Sequence, residues 1–273
     1  RHTRYISVTG VQTCALPIYL GILLLSFSKM WSYSVVPDVY TLDNYVTVFR
    51  DSSGMMVNTL LYCGLAAGAD VLLGTAIAYL ILRTKLAGRQ WLDFVATGAI
   101  AIPGVVLGIG YLRTFKDFQL PFTDEPFTAF WLIIVIAYAV RRLPYALRSC
   151  TAALQQLHVS LEEAAENLGA SKNRTIYRVV VPLMAGGILA GFVTSFLTAA
   201  VELSATIMLV TAQSNAPMSY GIYLYMQSIA GRGPGAALGV IAVIIVALGT
   251  YFSNRLIRNR AAGHETQMLK SGV

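Results

Sequence analysis

Long apolar runs separated by short polar stretches dominate the chain. A helix needs about 20 mostly apolar residues to cross a bilayer, and the runs 57–82 (VNTLLYCGLAAGADVLLGTAIAYLIL), 91–114, 127–147 and 235–257 meet that length. Another, 183–209, opens with Leu183 directly after Pro182, a placement suited to the first turn of a helix. Residues 19–28 (YLGILLLSFS) are too short to span and read as the remaining end of one more helix. The pattern predicts an all-α fold, a polytopic membrane bundle of about six transmembrane helices with the first one truncated.

Composition agrees with the pattern and narrows it. Only 12% of residues are charged and 56% are hydrophobic, whereas a water-soluble domain carries about 25% charged residues. The net charge of +7 could suggest nucleic acid, but a membrane protein accumulates Lys and Arg on its cytoplasmic side. With a cytoplasmic C-terminus, the inner segments hold 13 basic residues, among them Arg83, Arg89, Arg148, Lys172 and Arg178. The outer segments hold 5: Lys29, Arg50, Arg113, Lys116 and Arg232. A membrane partner is therefore expected, and no nucleic acid. Cys14, Cys63 and Cys150 show no CxxC spacing, and His2, His158 and His264 are scattered, so neither a disulfide framework nor a metal site is expected.

Residues 1–18 (RHTRYISVTGVQTCALPI) lack the long apolar stretch of a signal peptide. The string VTGVQTCALPI reads as the one-frame translation of a common sequencing-library adapter, so 1–18 is set aside as non-native. Glycine pairs at four-residue spacing occur in most spans: Gly64/Gly68, Gly104/Gly108, Gly187/Gly191 and Gly235/Gly239. Such pairs let helix backbones approach closely in lipid. The same spacing also arises because membrane helices are simply rich in glycine.

One polar connection stands out. The segment 158–182, HVSLEEAAENLGASKNRTIYRVVVP, lies between two spans on the basic side. Ser160-Leu161-Glu162-Glu163 has the form of a capping box, which predicts a helix beginning at Leu161. Leu161, Ala164, Ala165 and Leu168 then share one face, and Gly169 is placed to end the helix in a left-handed cap. A second, basic segment carries Lys172, Arg174 and Arg178 into Val179-Val180-Val181-Pro182. A mere connector would be shorter, and a membrane-surface helix would want a basic polar face rather than an acidic one. A small docking helix fits better, its narrow Ala/Leu face entering a partner's groove.

Glu163-Ala164-Ala165, then Gly169, then Val179-Val180-Val181-Pro182 resembles the EAA loop of binding-protein-dependent ABC importer permeases, with Val179 and Val181 in place of Ile and Leu. The resemblance runs from about Tyr19 to Leu256. It implies a MetI-like permease core over 19–260, a coupling loop over 152–182 and a cytoplasmic tail over 261–273, in a bacterial inner membrane. It also implies that Ser160, Glu163, Ala164, Ala165, Gly169 and Pro182 belong to the loop that docks on an ATP-hydrolysing subunit. Glu163 would make the polar contact, Ala164 and Ala165 would allow close approach, and Gly169 would set the bend. The implied partners are a cytoplasmic ABC ATPase dimer, a periplasmic or lipid-anchored substrate-binding protein, and a second permease unit. That unit would be a second copy or a missing N-terminal half of the same chain.

The sequence holds no GxxxxGK followed by Ser or Thr, so no phosphate loop of its own. No nucleophile–base pair argues for an enzyme. No cofactor is expected on this chain, with ATP–Mg on the partner ATPase. Ionisable residues inside spans are candidate functional groups: Asp70 in 57–82 and Glu202 in 183–209, either lining a pathway or pairing within the bundle. Arg141-Arg142 would snorkel to the interface or dock near the loop. Pro103-Gly104 can loosen a helix beside a cavity, and Ser204 follows Glu202 closely, so Asp70, Pro103, Gly104, Glu202 and Ser204 form the candidate pathway set. Three stretches, 102–110, 137–145 and Glu202–Thr206, resemble the ferric-iron branch of the family. Permeases for aminoalkylphosphonate, thiamine, polyamine, sulfate or molybdate share much of the same wording. A membrane scaffold that only recruits a partner, or an ATP-independent carrier or channel, is the competing reading.

Overall fold

The computed structural model describes residues 16–31, 34–119 and 126–271, with side chains described through Tyr251 and at Arg255. His2 and Cys14 lie outside the described residues. Within them the chain is helical, and the only extended pairings are isolated bridges at Ser28–Tyr40 and Gln119–Pro126. The helices, in chain order, are α1 Leu16–Ser26, α2 Asp43–Asp51, α3 Ser53–Arg83, α4 Arg89–Gly98 and α5 Gly104–Thr114. Next come α6 Leu132–Gln155, α7 Ser160–Asn167, α8 Lys172–Thr175, α9 Val181–Leu183 and α10 Ala185–Ala200. The chain closes with α11 Thr206–Leu209, α12 Met218–Met226 and α13 Arg232–Ser271.

Each predicted apolar run lies on a helix or a bent helix pair, but two are not straight spans. Two uninterrupted stretches, Ser53–Arg83 and Arg232–Tyr251, are long and apolar enough to cross a bilayer. The run 91–114 bends by 107° between Ala101 and Gly104. Its cause is local: Pro103 drives Ile102 out of the helical region to φ −84°, ψ 124°. The run 183–209 is likewise not one helix. It begins upstream at Lys172, bends by 68° at Met184 and stops at Ala200. The run 127–147 is displaced to Leu132–Gln155, because Pro126 and a 3₁₀ turn at Phe127–Ala129 occupy its expected start.

Two compact units divide the chain. The first comprises residues up to Thr59 together with Ala212–Val246. Polar clasps hold it: Asn44 donates to the carbonyls of Ser26 and Ser28 at 2.9 and 2.8 Å, and Asn58 to those of Ser214 and Ala216 at 2.7 and 3.1 Å. Gly233 lies so close to Asn44 that an added Cβ would sit 2.7 Å from its amide.

The second unit, Leu60–Thr211 with Ala247 onward, is built around α6. One apolar cluster gathers Tyr62, Ile133, Ile134, Tyr138 and Leu209; another gathers Ala78, Leu147, Leu154, Val180 and Met184. Backbones meet here at glycines. An added Cβ would fall 3.0 Å from Leu147 N at Gly74, 2.3 Å from Ala153 Cβ at Gly187, and 3.2 Å from Ala146 Cα at Gly191. Close approach of this kind substitutes for the hydrophobic drive that lipid does not supply. Of the predicted glycine pairs, Gly104/Gly108 and Gly187/Gly191 are packed in this way. Gly64, Gly68 and Gly239 face open space, with nothing within 4 Å of an added Cβ.

Candidate functional site

The polar connection forms two short helical segments joined at a glycine, and its geometry departs from the capping-box expectation. Helix α7 starts at Ser160, with Val159 as N-cap and no side-chain cap. The turn before it is already helical, so the amides of Glu162 and Glu163 both donate to the Val159 carbonyl, at 2.9 and 3.2 Å. The Ser160 hydroxyl instead meets His158 Nδ1 at 2.9 Å. The far end follows expectation. Gly169 has φ +87°. Its amide donates to Glu166 at 2.9 Å and that of Ala170 to Ala165 at 3.0 Å, the paired bonds of a Schellman motif.

The Ala/Leu face of α7 is largely exposed, and the side chain it turns inward is a glutamate. None of its residues is fully buried. Leu161 and Leu168 are 45% and 90% exposed. Glu163 and Ala164 are exposed too, and Ala165 is half-buried. The inward group is Glu162. It accepts a hydrogen bond from Arg83 Nε at 2.6 Å and from the Tyr79 hydroxyl at 3.1 Å. Arg83 is the last residue of α3. Through Nη2 it also donates to the carbonyls of Leu157 at 2.6 Å and Leu154 at 3.3 Å, where α6 ends. One guanidinium thus joins α3, the end of α6 and α7. This internal contact is distinct from the partner contact expected of Glu163, and the sequence pattern does not pair Glu162 with Arg83 or Tyr79. Only the position of Arg83 at the end of an apolar run hinted at the pairing.

Downstream, α8 leads into a π-helical turn at Ile176–Val180 before α9. Pro182 has no amide hydrogen for an α-helical bond, and a π turn is one way a chain absorbs such a defect. Pro182 is exposed. Beside it an apolar cavity of about 480 Å³ separates α3 from 173–188, lined by Val71, Thr75, Tyr79, Tyr177, Val180 and Ile188.

A second cluster lies inside the bundle. Glu202, in the non-helical stretch between α10 and α11, is 4% exposed. Arg142 Nη2 donates to its Oε2, and Arg141 Nε lies 3.4 Å from the same oxygen. These arginines neither snorkel nor approach the polar loop, because the buried carboxylate draws them inward. Glu202 also accepts from the Ala205 amide at 3.3 Å, while the Tyr138 and Thr206 hydroxyls pair at 2.7 Å beside it. Arg141 Nη1 reaches the Ile102 carbonyl at 3.2 Å, just before Pro103. An added Cβ at Gly104 would lie 2.6 Å from both Arg141 Nη1 and Ser204 Cβ. The structure therefore brings Pro103, Gly104, Glu202 and Ser204 together at the two helix breaks. Asp70 makes no hydrogen bond to this cluster; it is fully buried on α3, where Ser195 of α10 donates to its Oδ2.

Comparison with known proteins places this geometry in context. Residues 70–262 match the family described as binding-protein-dependent transport system inner membrane component. The ferric transport system permease protein FbpB of Actinobacillus pleuropneumoniae is 32% identical over 236 residues, covering 85% of this chain and 33% of that protein. This chain spans about a third of the length of the ferric-permease relatives it matches. The molybdenum transport system permease protein ModB of Escherichia coli K12 is 30% identical over 198 residues, covering 68% of this chain and 84% of ModB. A bacterial ABC transporter involved in import of the acidic polysaccharide alginate shares the fold, with TM-score 0.72 and 16% identity over 93% of this chain and 94% of that one. So does the MetNI methionine ABC transporter in an inward-facing conformation, with TM-score 0.61 and 14% identity over 79% of this chain and 96% of that one.

Proposed function

The chain belongs to the family of binding-protein-dependent transport system inner membrane components, and on that premise we propose that it is the permease subunit of an ATP-driven importer. The observation that carries this reading is α7: a short helix at the end of the bundle, ended by a left-handed Gly169, with Leu161, Glu163, Ala164 and Leu168 turned outward. A soluble partner can grip that face, the aliphatic side chains filling a groove and Glu163 meeting a basic group at its rim.

In this reading the partner is a cytoplasmic ATPase pair that supplies ATP and Mg²⁺, while a binding protein delivers substrate to the opposite side. A second permease unit, a copy of this chain or another part of a longer one, completes the pathway. The C-terminus is cytoplasmic, an orientation supported by the excess of basic residues on that side. The broken helices at 102–103 and 201–205 give the bundle irregular backbone at membrane depth, which is tolerated where protein or a water-filled cavity covers it. Pro103, Gly104, Glu202 and Ser204 are the pathway-forming or gate-forming positions.

The substrate proposed is ferric iron, supported by the ferric permeases among the relatives; molybdate and sulfate are the alternatives their other relatives suggest. The test is reconstitution of the permease with its ATPase and binding protein in liposomes. Ferric-loaded binding protein should stimulate ATP hydrolysis and drive uptake of radio-iron, with molybdate and sulfate as competing arms. A cysteine at Leu168 should cross-link to the ATPase subunit. An ATPase rate indifferent to every loaded binding protein would mark a scaffold and sink the importer reading.

A further inference from the structure

The docking reading explains how α7 could be gripped, and leaves open how a movement of α7 would reach the membrane helices. An eight-residue helix is marginal by itself, and α7 has no buried residue to hold it by apolar packing. Backbone joins α7 directly to α6 through residues 156–159, and two further connections remain. One is the backbone through α8, the π turn and α9 into α10. That route carries a 68° bend at Met184 and runs beside the 480 Å³ apolar cavity that parts it from α3. This route is bent and borders the cavity on one side, while Val180 and Met184 on it pack into the buried cluster with Ala78 and Leu147.

The other connection is the Arg83 guanidinium. It holds Glu162 at 2.6 Å on one side and the carbonyls of Leu157 and Leu154 on the other, and it is itself the last residue of α3. Both side chains of the ion pair are only 12% exposed, so screening by water and salt is reduced. Arginine's planar fork can serve several acceptors in fixed directions at once, which a lysine ammonium on its flexible stem does less rigidly. Tyr79, one helical turn earlier on α3, gives Glu162 a second donor at 3.1 Å and fixes the carboxylate's orientation.

We propose that Arg83 is the joint through which displacement of α7 is passed to α3, with Glu162 and Tyr79 as its seat. Arg83 is a positioning residue, acting on the pathway through the helices it ties together. The inference rests on the reading of α7 as the ATPase-docking helix.

The experiment uses the assembled complex in lipid, with spin labels at exposed positions Leu72 on α3 and Leu168 on α7. Pulsed EPR distances are taken without nucleotide and trapped with ATP and vanadate. In the parent, α7 and α3 move together and the distance is unchanged by trapping. In Arg83→Ala, trapping shifts and broadens it, while the Leu168 cross-link to the ATPase persists. Stimulation of ATP hydrolysis by loaded binding protein falls at least about fivefold, the low end of ordinary coupling between sites. Arg83→Lys falls between the two. Glu162→Gln, isosteric and still hydrogen-bonded, covers the case in which Arg83→Ala does not assemble, and shifts the distance in the same direction. A parent-like distance and stimulation in these variants would overturn the joint. Loss of the Leu168 cross-link in the parent would instead overturn the docking reading, which separates the two failures.

Discussion

Two arginine–carboxylate clusters in the second unit use the same chemistry for opposite purposes. Glu202 sits in the interior with its side chain 3% exposed, facing two arginines from one helix and closing the breaks after α5's neighbour Ile102 and after α10. Glu162 sits at the end of the bundle, held by a single arginine at 12% exposure, on a helix otherwise exposed except for half-buried Ala165. In the interior, charge removal leaves two arginines without the carboxylate they share. At the end of the bundle it leaves a helix loosely tied. The interior cluster ties the two helix breaks together; the outer one ties α7 to α3 while most of α7 stays exposed. Substitutions should divide accordingly, interior ones costing assembly and loop ones costing coupling.

The largest effect is expected at Glu202. Glu202→Leu leaves two buried guanidiniums without their carboxylate, a change that costs about 3–5 kcal/mol when a buried pair loses one partner. The variant should fail to yield a monodisperse complex in detergent. Adding Arg141→Met and Arg142→Met should restore much of the thermal stability, because an all-apolar replacement removes the stranded charges. If the single variant is as stable as the parent, the interior cluster is not structural and the contrast collapses.

Next comes Gly187→Leu. Its Cβ alone would fall 2.3 Å from Ala153 Cβ, with the Ser149 carbonyl at 3.1 Å. Overpacking at a backbone seam costs about 3 kcal/mol at its upper end, and the melting temperature of the purified complex should drop accordingly. Glu163→Ala should do the reverse. Its side chain is exposed, so stability should stay within about 0.5 kcal/mol of the parent. Transport per ATP hydrolysed should nonetheless fall about fivefold or more if the carboxylate meets the ATPase. Parent-like coupling in Glu163→Ala would remove the loop side of the contrast.

How much of this was visible in the sequence follows from the range of each interaction. Local rules worked where local forces decide: apolar run length marked the helices, and Gly169 sat where its predicted left-handed cap was found. They failed where the deciding partner is distant. The Ser160 capping box did not form, because the preceding turn was already helical and His158 took the hydroxyl. Glu162, Glu163 and Glu166 are indistinguishable by type. Only the placement of Arg83, 79 residues away in sequence, singles out Glu162. Arg141 and Arg142 looked like snorkelling residues near a helix end until Glu202, about 60 residues on, turned them inward. Pro103 did announce a loosened helix; that the break would close on Arg141 and Ser204 was beyond any periodicity.

The smallest effect is expected at Gly169, and it tests the loop most cleanly. An added Cβ there meets nothing within 4 Å, so Gly169→Ala introduces no clash. Its whole cost is the left-handed backbone at φ +87°, about 1–2 kcal/mol for an L-residue with a side chain. That strain falls on the Schellman turn joining α7 to α8, far less than the Glu202 penalty and confined to an exposed segment. Assembly should survive, with the Leu168 cross-link weakened and coupling reduced modestly. Gly64→Ala is the matching control: it too adds a Cβ into open space, but in an ordinary helical turn where alanine is favoured over glycine. It should leave both stability and coupling at parental values. If Gly169→Ala and Gly64→Ala behave alike in the coupled ATPase assay, the left-handed turn contributes nothing to gripping α7. The bend would then be only a way of ending a helix.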